Sequence, residues 1–402
     1  MRRIDDSMKR IKQFGAASAV LALFITFGLA VAATPSAQAQ TFRVYYSFGG
    51  TPDGGQPVAG MAQGSDGNFY GSTSGGGSNN YGSMFELSSD GNGGWNYSVV
   101  FSFVLGLEYP QYPVTLDGGY LYTPVSTTGS GGGIVKYQPG AGSYTLIEFG
   151  GGAGGCYPMG GLIEDSSGNL YGTTYVCGTS NRGTVFELNG PEAGNNVTIL
   201  HNFTGSAKDG ASPEGGSLLL SGTTLYGVTT AGGSAGSGVV YSLSIATGKT
   251  KVLHSFGGSG DGSSPMGTPV MDAKGNLYGT TKYGGANGAG TVWELTKKGV
   301  ETVHSFGGDA GYTWPTGGVA LDTRGYLYGT VYTDPIKTGY AGYLYRLNSS
   351  NLAGAATTLH AFSGGSDGGY PYGVFMDSTG NVYGTTQYGG ANNAGVLWGY
   401  FP

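Results

Sequence analysis

The sequence predicts an all-β protein, a seven-bladed β-propeller with four strands per blade. Three observations carry this. First, glycine makes up 83 of 402 residues and aromatics 13%, with 30 tyrosines, while charged residues are only 10%. That composition suits short strands and tight turns, and it lacks the 3.6-residue apolar period of helices. Second, a Leu-Tyr-Gly-Thr-Thr run recurs, centred on Tyr70, Tyr122, Tyr171, Tyr226, Tyr278, Tyr328 and Tyr383, at intervals of 49 to 55 residues. Third, seven such units use the whole of residues 40–402. Repeats of about 50 residues with four strands each are a propeller signature. Collagen is excluded because no three-residue glycine period exists. A disordered linker is excluded because aromatic and β-branched residues abound.

Residues 1–39 read as a signal peptide. Arg2, Arg3, Lys9, Arg10 and Lys12 precede an apolar run over 16–33, and Ala37-Gln38-Ala39 is a small-x-small cleavage site. Cleavage takes five of the 18 basic and two of the 24 acidic side chains, leaving a net charge of −9. A chain this acidic, with no basic patch, is not expected to bind nucleic acid. The remaining chain holds no second apolar run of spanning length, so no membrane association is expected after cleavage. The expected location is periplasmic, extracellular or at the cell surface, and the expected state is a monomer.

Each unit shows four strand-like runs. A first run follows a proline, as in Pro158-Met-Gly-Gly-Leu-Ile-Glu-Asp165, and a turn at 166–169 leads to the Leu-Tyr-Gly strand. A Gly/Asn-rich loop precedes a Thr-Val-Phe-Glu-Leu strand, and a Leu-His-Ser-Phe strand ends the unit. The chain opens on a lone fourth strand near Tyr45 and closes on a third strand near Trp398. The N-terminal strand is therefore expected to complete the last blade, closing the ring and covering its sheet edges. Cys156 and Cys177 fall opposite each other at the open end of one hairpin, which predicts a disulfide between them.

The pattern P-x-G-G-L-I-x-D-x-x-G-N-L-Y-G-T-T, then G-T-V-F-E-L, then V-L-H-S-F-G-G, resembles the GloVer repeat family. It is clearest in 168–174, 275–281 and 380–386, and weakest in the second unit at Gly119-Tyr-Leu-Tyr-Thr-Pro124. The resemblance implies an exported bacterial protein built of propeller-like repeats, and no particular activity.

His201, His254, His304 and His360 share one repeat position, which Tyr46, Phe101 and Ile147 fill elsewhere. Such interchange marks a packing position, and rings on separate blades do not converge on a metal. No metal site and no cofactor are expected. Glu86, Glu187 and Glu294 in the third strand read as framework. So do Asp165, Asp272, Asp322 and Asp377 before the first turn, where a carboxylate can hold turn amides. Asp53, Asp209, Asp261, Asp309 and Asp367 lie in the loop joining one unit to the next. Of these, Asp209 and Asp261 are kept as candidate ligand contacts. Glycine runs such as 75–77 lack the Lys-Ser/Thr of a phosphate loop, and Gly215-Gly-Ser-Leu-Leu is not a nucleophile elbow.

Loops after the second and fourth strands share one face of a propeller. They carry Tyr109, Tyr112, Tyr157, Tyr312, Trp314, Tyr370 and Tyr372, with Tyr175, Tyr283, Tyr332 and Tyr388, beside Asn79, Asn80, Asn287, Asn392 and Asn393. Flat aromatic faces beside amide and carboxylate acceptors suit sugar rings, and aromatics also favour protein interfaces. The sequence therefore reads first as a binding module for a glycan or surface protein. Alternatives are a polysaccharide lyase or hydrolase at the ring mouth, using pattern-breaking Glu108, Glu214, Asp334 or Lys337, and a structural envelope or matrix protein.

Overall fold

The computed structural model describes residues 40–402 except 59, 92–93, 111, 128–130, 190–195, 215, 258–259, 308–312, 340 and 351–354. The 1–39 leader, Asp309 and Tyr312 thus lie outside the described residues. Seven antiparallel sheets form a propeller ring. The third blade shows the plan: Cys156–Glu164, Leu170–Val176, Thr184–Leu188 and Val197–Asn202, paired in that order. The seventh blade takes Gly369–Met376, Val382–Tyr388 and Val396–Phe401 from the C-terminus and Thr41–Ser47 from the N-terminus. Val44 pairs with Trp398 and Thr41 with Phe401, as the repeat phase predicts.

The repeated letters have local causes. Asp165 accepts from the amides of Ser167 and Asn169, from Asn169 Nδ2 and from the Tyr171 hydroxyl. Asp272 and Asp377 make the same set. One carboxylate thus fixes the first turn and ties it to the second strand. The second threonine of Leu-Tyr-Gly-Thr-Thr is fully buried, and its hydroxyl meets the first threonine of the third strand, Thr174 to Thr184 at 2.8 Å and Thr281 to Thr291 at 2.9 Å. The glycine faces an aromatic ring across the ladder: Gly172 opposes Phe186, Gly279 opposes Trp293 and Gly384 opposes Trp398.

The blades meet at one repeated joint. The glycine preceding each third strand lies against the proline that opens the next blade, from Gly82 on Pro110 round to Gly395 on Pro57. A Cβ on Gly238 would stand 2.6 Å from Pro265 Cδ, and φ there is +102°. The residue before that proline is left-handed in six blades: Gln56, Tyr109, Tyr157, Ser212, Ser264 and Tyr370. Such non-glycine backbone costs of order 1–3 kcal/mol. Here it turns each N–H onto a carbonyl of the preceding blade, as in Gln56 to Ala394 at 2.7 Å and Ser264 to Ser237 at 2.9 Å. The Gln56 joint closes the ring.

Cys156 and Cys177 are bonded, with Cα atoms 5.3 Å apart. The register differs slightly from the expected one. A bulge between Met159 and Ile163 shifts the pairing, so Cys156 opposes Val176 and the bond slants by one residue. The bulge falls on the Gly-Gly pair, where the first strands of neighbouring blades touch: a Cβ on Gly160 would lie 2.2 Å from the Gly216 carbonyl. No helix among the described residues is long and apolar enough to cross a membrane.

Candidate functional site

The first strands enclose an axial cavity of about 750 Å³. Toward the first-turn end its wall is apolar, with Val270, Leu321, Phe375 and Met376. Toward the other end it carries Gln56, Tyr109, Tyr112, Glu214, Lys282 and Tyr372. This mouth opens on the face of the loops that follow second and fourth strands. The most exposed large apolar side chains gather on the same face, including Leu105 at 71% and Ile336 at 90%, with Tyr109, Tyr157, Tyr283 and Tyr388. Elsewhere only Val44 and Tyr144, on outer strands, are comparably exposed among the described residues.

Three repeat positions border the mouth, some blades reaching the cavity wall itself (Gln56 and Tyr109, Glu214 and Tyr372, Ser74 and Lys282), and in all three the residue type changes from blade to blade. Before the proline stand Gln56, Tyr109, Tyr157, Ser212, Ser264, Trp314 and Tyr370. After it stand Val58, Met159, Glu214, Met266, Thr316 and Tyr372. One residue beyond Thr-Thr stand Ser74, Ser126, Tyr175, Thr230, Lys282, Tyr332 and Gln387. The frame constrains the backbone at these places and does not prescribe the side chain.

In blades six and seven the rings form a continuous wall. Trp314 lies 4.6 Å from Tyr332, Tyr332 lies 3.8 Å from Tyr370, and Tyr370 lies 5.6 Å from Tyr388, between ring centres. Lys282 Nζ reaches this wall from blade five, 5.3 Å from the Tyr283 ring and 5.7 Å from that of Trp314. Nearer the axis, burial and then the Glu214 charge push the Tyr112 hydroxyl above the usual tyrosine range. Burial does the same to Tyr372 and, with the Tyr370 hydroxyl beside it, to Tyr332. These phenols stay neutral donors at ordinary pH.

The other candidates sit differently. Asp209 and Asp261 face their own loops and the outer strand. His201 Nε2 meets Asp209 at 3.1 Å, His254 meets Asp261 at 2.8 Å and His360 meets Asp367 at 3.0 Å. The amide of Thr204 donates to Asp209, and that of Gly257 to Asp261. Burial alone would raise the Asp209 pKa, but the bond from His201 and the Thr204 amide hold it below the usual carboxylate range. The histidines pack edge-on against Phe203, Phe256, Phe306 and Phe362, as the packing reading has it. Their partnership with the loop aspartates is the part that spacing did not reveal. Tyr46 repeats it, donating to Asp53 at 2.9 Å. The loop asparagines also turn inward: Asn80 Oδ1 accepts from Gly76, and Asn79, Asn287 and Asn392 donate to carbonyls of Phe103, Phe306 and Phe48. Among the described residues no cluster of three or more His, Cys, Asp or Glu could hold a metal.

The Gloeobacter/Verrucomicrobia repeat pattern matches residues 26–216 and 109–338. The chain belongs to this repeat family. No curated protein matches it. Among solved structures, this Gloeobacter/Verrucomicrobia repeat protein is similar to the extracellular domain of BT4673 from B. thetaiotaomicron, classed as a hybrid two component system. The two share 13% identity at a TM-score of 0.55, over 89% of this chain and 39% of that one, so the chain spans well under half of that structure. A protein classed as a 6-phosphogluconolactonase from Bacteroides uniformis is similar at 16% identity and a TM-score of 0.49, over 75% of this chain and 84% of that one. At such identities the first likeness speaks for the propeller fold alone. The disulfide accords with an oxidising compartment outside the cytoplasm.

Proposed function

We propose that this repeat protein is an exported, non-enzymatic binding module whose loop face takes a glycan at the mouth of the axial cavity. The observation that carries the reading is the aromatic wall Trp314–Tyr332–Tyr370–Tyr388, built at positions where the repeat prescribes no side chain. Tyr332 itself is buried between its neighbours, while Trp314, Tyr370 and Tyr388 keep part of their rings exposed. A rigid aromatic surface offers large contact area at low entropic cost, and its hydroxyl and amide edges suit the polar rim of a sugar.

The cavity wall supports binding over two-carboxylate hydrolysis. Among its described residues Glu214 is the sole acid, whereas glycoside hydrolysis uses two carboxyl groups about 5–10 Å apart. Affinity electrophoresis through gels holding a panel of polysaccharides tests the reading. One or more polymers should retard the protein, and Trp314→Ala should weaken that binding about tenfold at unchanged melting temperature. Free migration of the wild type in every gel overturns it.

A further inference from the structure

We infer that the mouth selects a glycan bearing an anionic group, a uronate carboxylate or a sulfate ester, through Lys282. The inference rests on the glycan reading above and narrows it to a ligand class. Lys282 is the one cation in the cavity wall among the described residues. It occupies the position that holds Ser74, Ser126, Tyr175, Thr230, Tyr332 or Gln387 in the other blades. No carboxylate of the described residues lies within 4.0 Å of its ammonium. Its neighbours are the Tyr283 and Trp314 rings, at 5.3 and 5.7 Å.

That spacing is the outer limit of a cation–π contact. The ammonium thus stands over the Tyr283 and Trp314 rings, at the margin of the aromatic wall. A pyranose docked on the wall beside it would bring an anionic substituent at its edge toward the ammonium, where a charge-assisted hydrogen bond is available. In a chain with 10% charged residues and a net negative charge, such a cation is not part of a general basic surface. It acts locally, and only on a ligand already docked on the rings.

The test uses the chain over 40–402 with four polymers: polygalacturonate, its carboxyl-reduced counterpart, dextran sulfate and dextran. One of the charged polymers should bind at least about tenfold more tightly than its neutral partner. Lys282→Met, which keeps the apolar stem, should close that gap, and Lys282→Arg should keep it. Whichever charged polymer binds distinguishes a carboxylate from a sulfate ester. Equal binding of charged and neutral partners, or a gap that survives Lys282→Met, overturns the inference and leaves the glycan reading standing. If none of the four binds, the inference falls, and the glycan reading is then decided separately by the wider panel and Trp314→Ala.

Discussion

Blades two and five hold equivalent places in the ring, yet they meet one packing demand with different residues. In blade five Gly279 opposes Trp293, and a Cβ on that glycine would stand 2.3 Å from the indole. In blade two Thr123 opposes Val135 instead. A small residue against a large one has become two of middle size. The first turn differs in parallel. Blade five uses the Asp272 turn, while blade two passes from Asp117 to Tyr120 through Gly118 and Gly119, both left-handed. The repeat is thus specified as paired volume and turn geometry, and its letters are free to change together. At the mouth they change without a paired change: Ser74 and Thr230 donate to the Gln56 and Ser212 carbonyls where other blades place Lys282, Tyr332 or Gln387.

The largest expected effect comes from breaking the volume pair. Gly279→Thr with Trp293 retained should cost about 3 kcal/mol or more, since the ring lies where the new side chain must go. Adding Trp293→Val copies blade two, and the cycle should show a favourable coupling of about 1–3 kcal/mol. Guanidinium unfolding of the four proteins measures this. Strictly additive costs would mean that blade two owes its tolerance to something other than the pair.

A smaller effect belongs to the loop carboxylates. Hydrogen bonds outweigh burial at Asp165, Asp209 and Asp377 and hold each below the usual range. The folded state therefore binds fewer protons than the unfolded one near these values. The stability they contribute is full above about pH 4 and is lost as pH falls through the depressed values. Asp209→Asn should cost about 1–2 kcal/mol at pH 7 and flatten the decline below about pH 4. An equally steep decline in the variant would assign acid sensitivity to other groups. His304 and His360 act in a higher window. Burial lowers His304, and it lowers His360 against the pull of Asp367, so stability should also fall as pH drops below about 6.5.

The sequence displayed the frame because each framework contact is local and repeated. Asp165 reaches residues two to six positions away, so its letter and its function recur together. The ring closure was legible for a similar reason, since a missing strand at one end and a spare one at the other show in the phase. The His201–Asp209 bond spans eight residues and recurs as well, but either residue alone has a sufficient local explanation. The mouth was legible only as a face. Which rings meet depends on contacts between blades, as between Tyr332 and Tyr370, and no repeat spacing encodes those. The left-handed turn before six of the prolines was hidden too, because glycine, its usual mark, is absent there.

That hidden turn supplies the smallest and most discriminating change. Ser212 sits at φ +54° with its N–H donating to the Arg182 carbonyl at 2.8 Å. Glycine would adopt the same backbone with less strain and keep the bond. Ser212→Gly should therefore leave stability unchanged or raise it by up to about 1 kcal/mol, read from the unfolding midpoint. Frame glycines behave oppositely: at Gly238, with φ +102° and Pro265 against it, alanine should destabilise. If glycine is easier for the backbone at the mouth and is nevertheless absent from all six left-handed positions before the proline, stability is not what keeps side chains there. A loss of more than about 1 kcal/mol in Ser212→Gly would instead make that side chain part of the joint, and the division between frame and mouth would fail at its sharpest point.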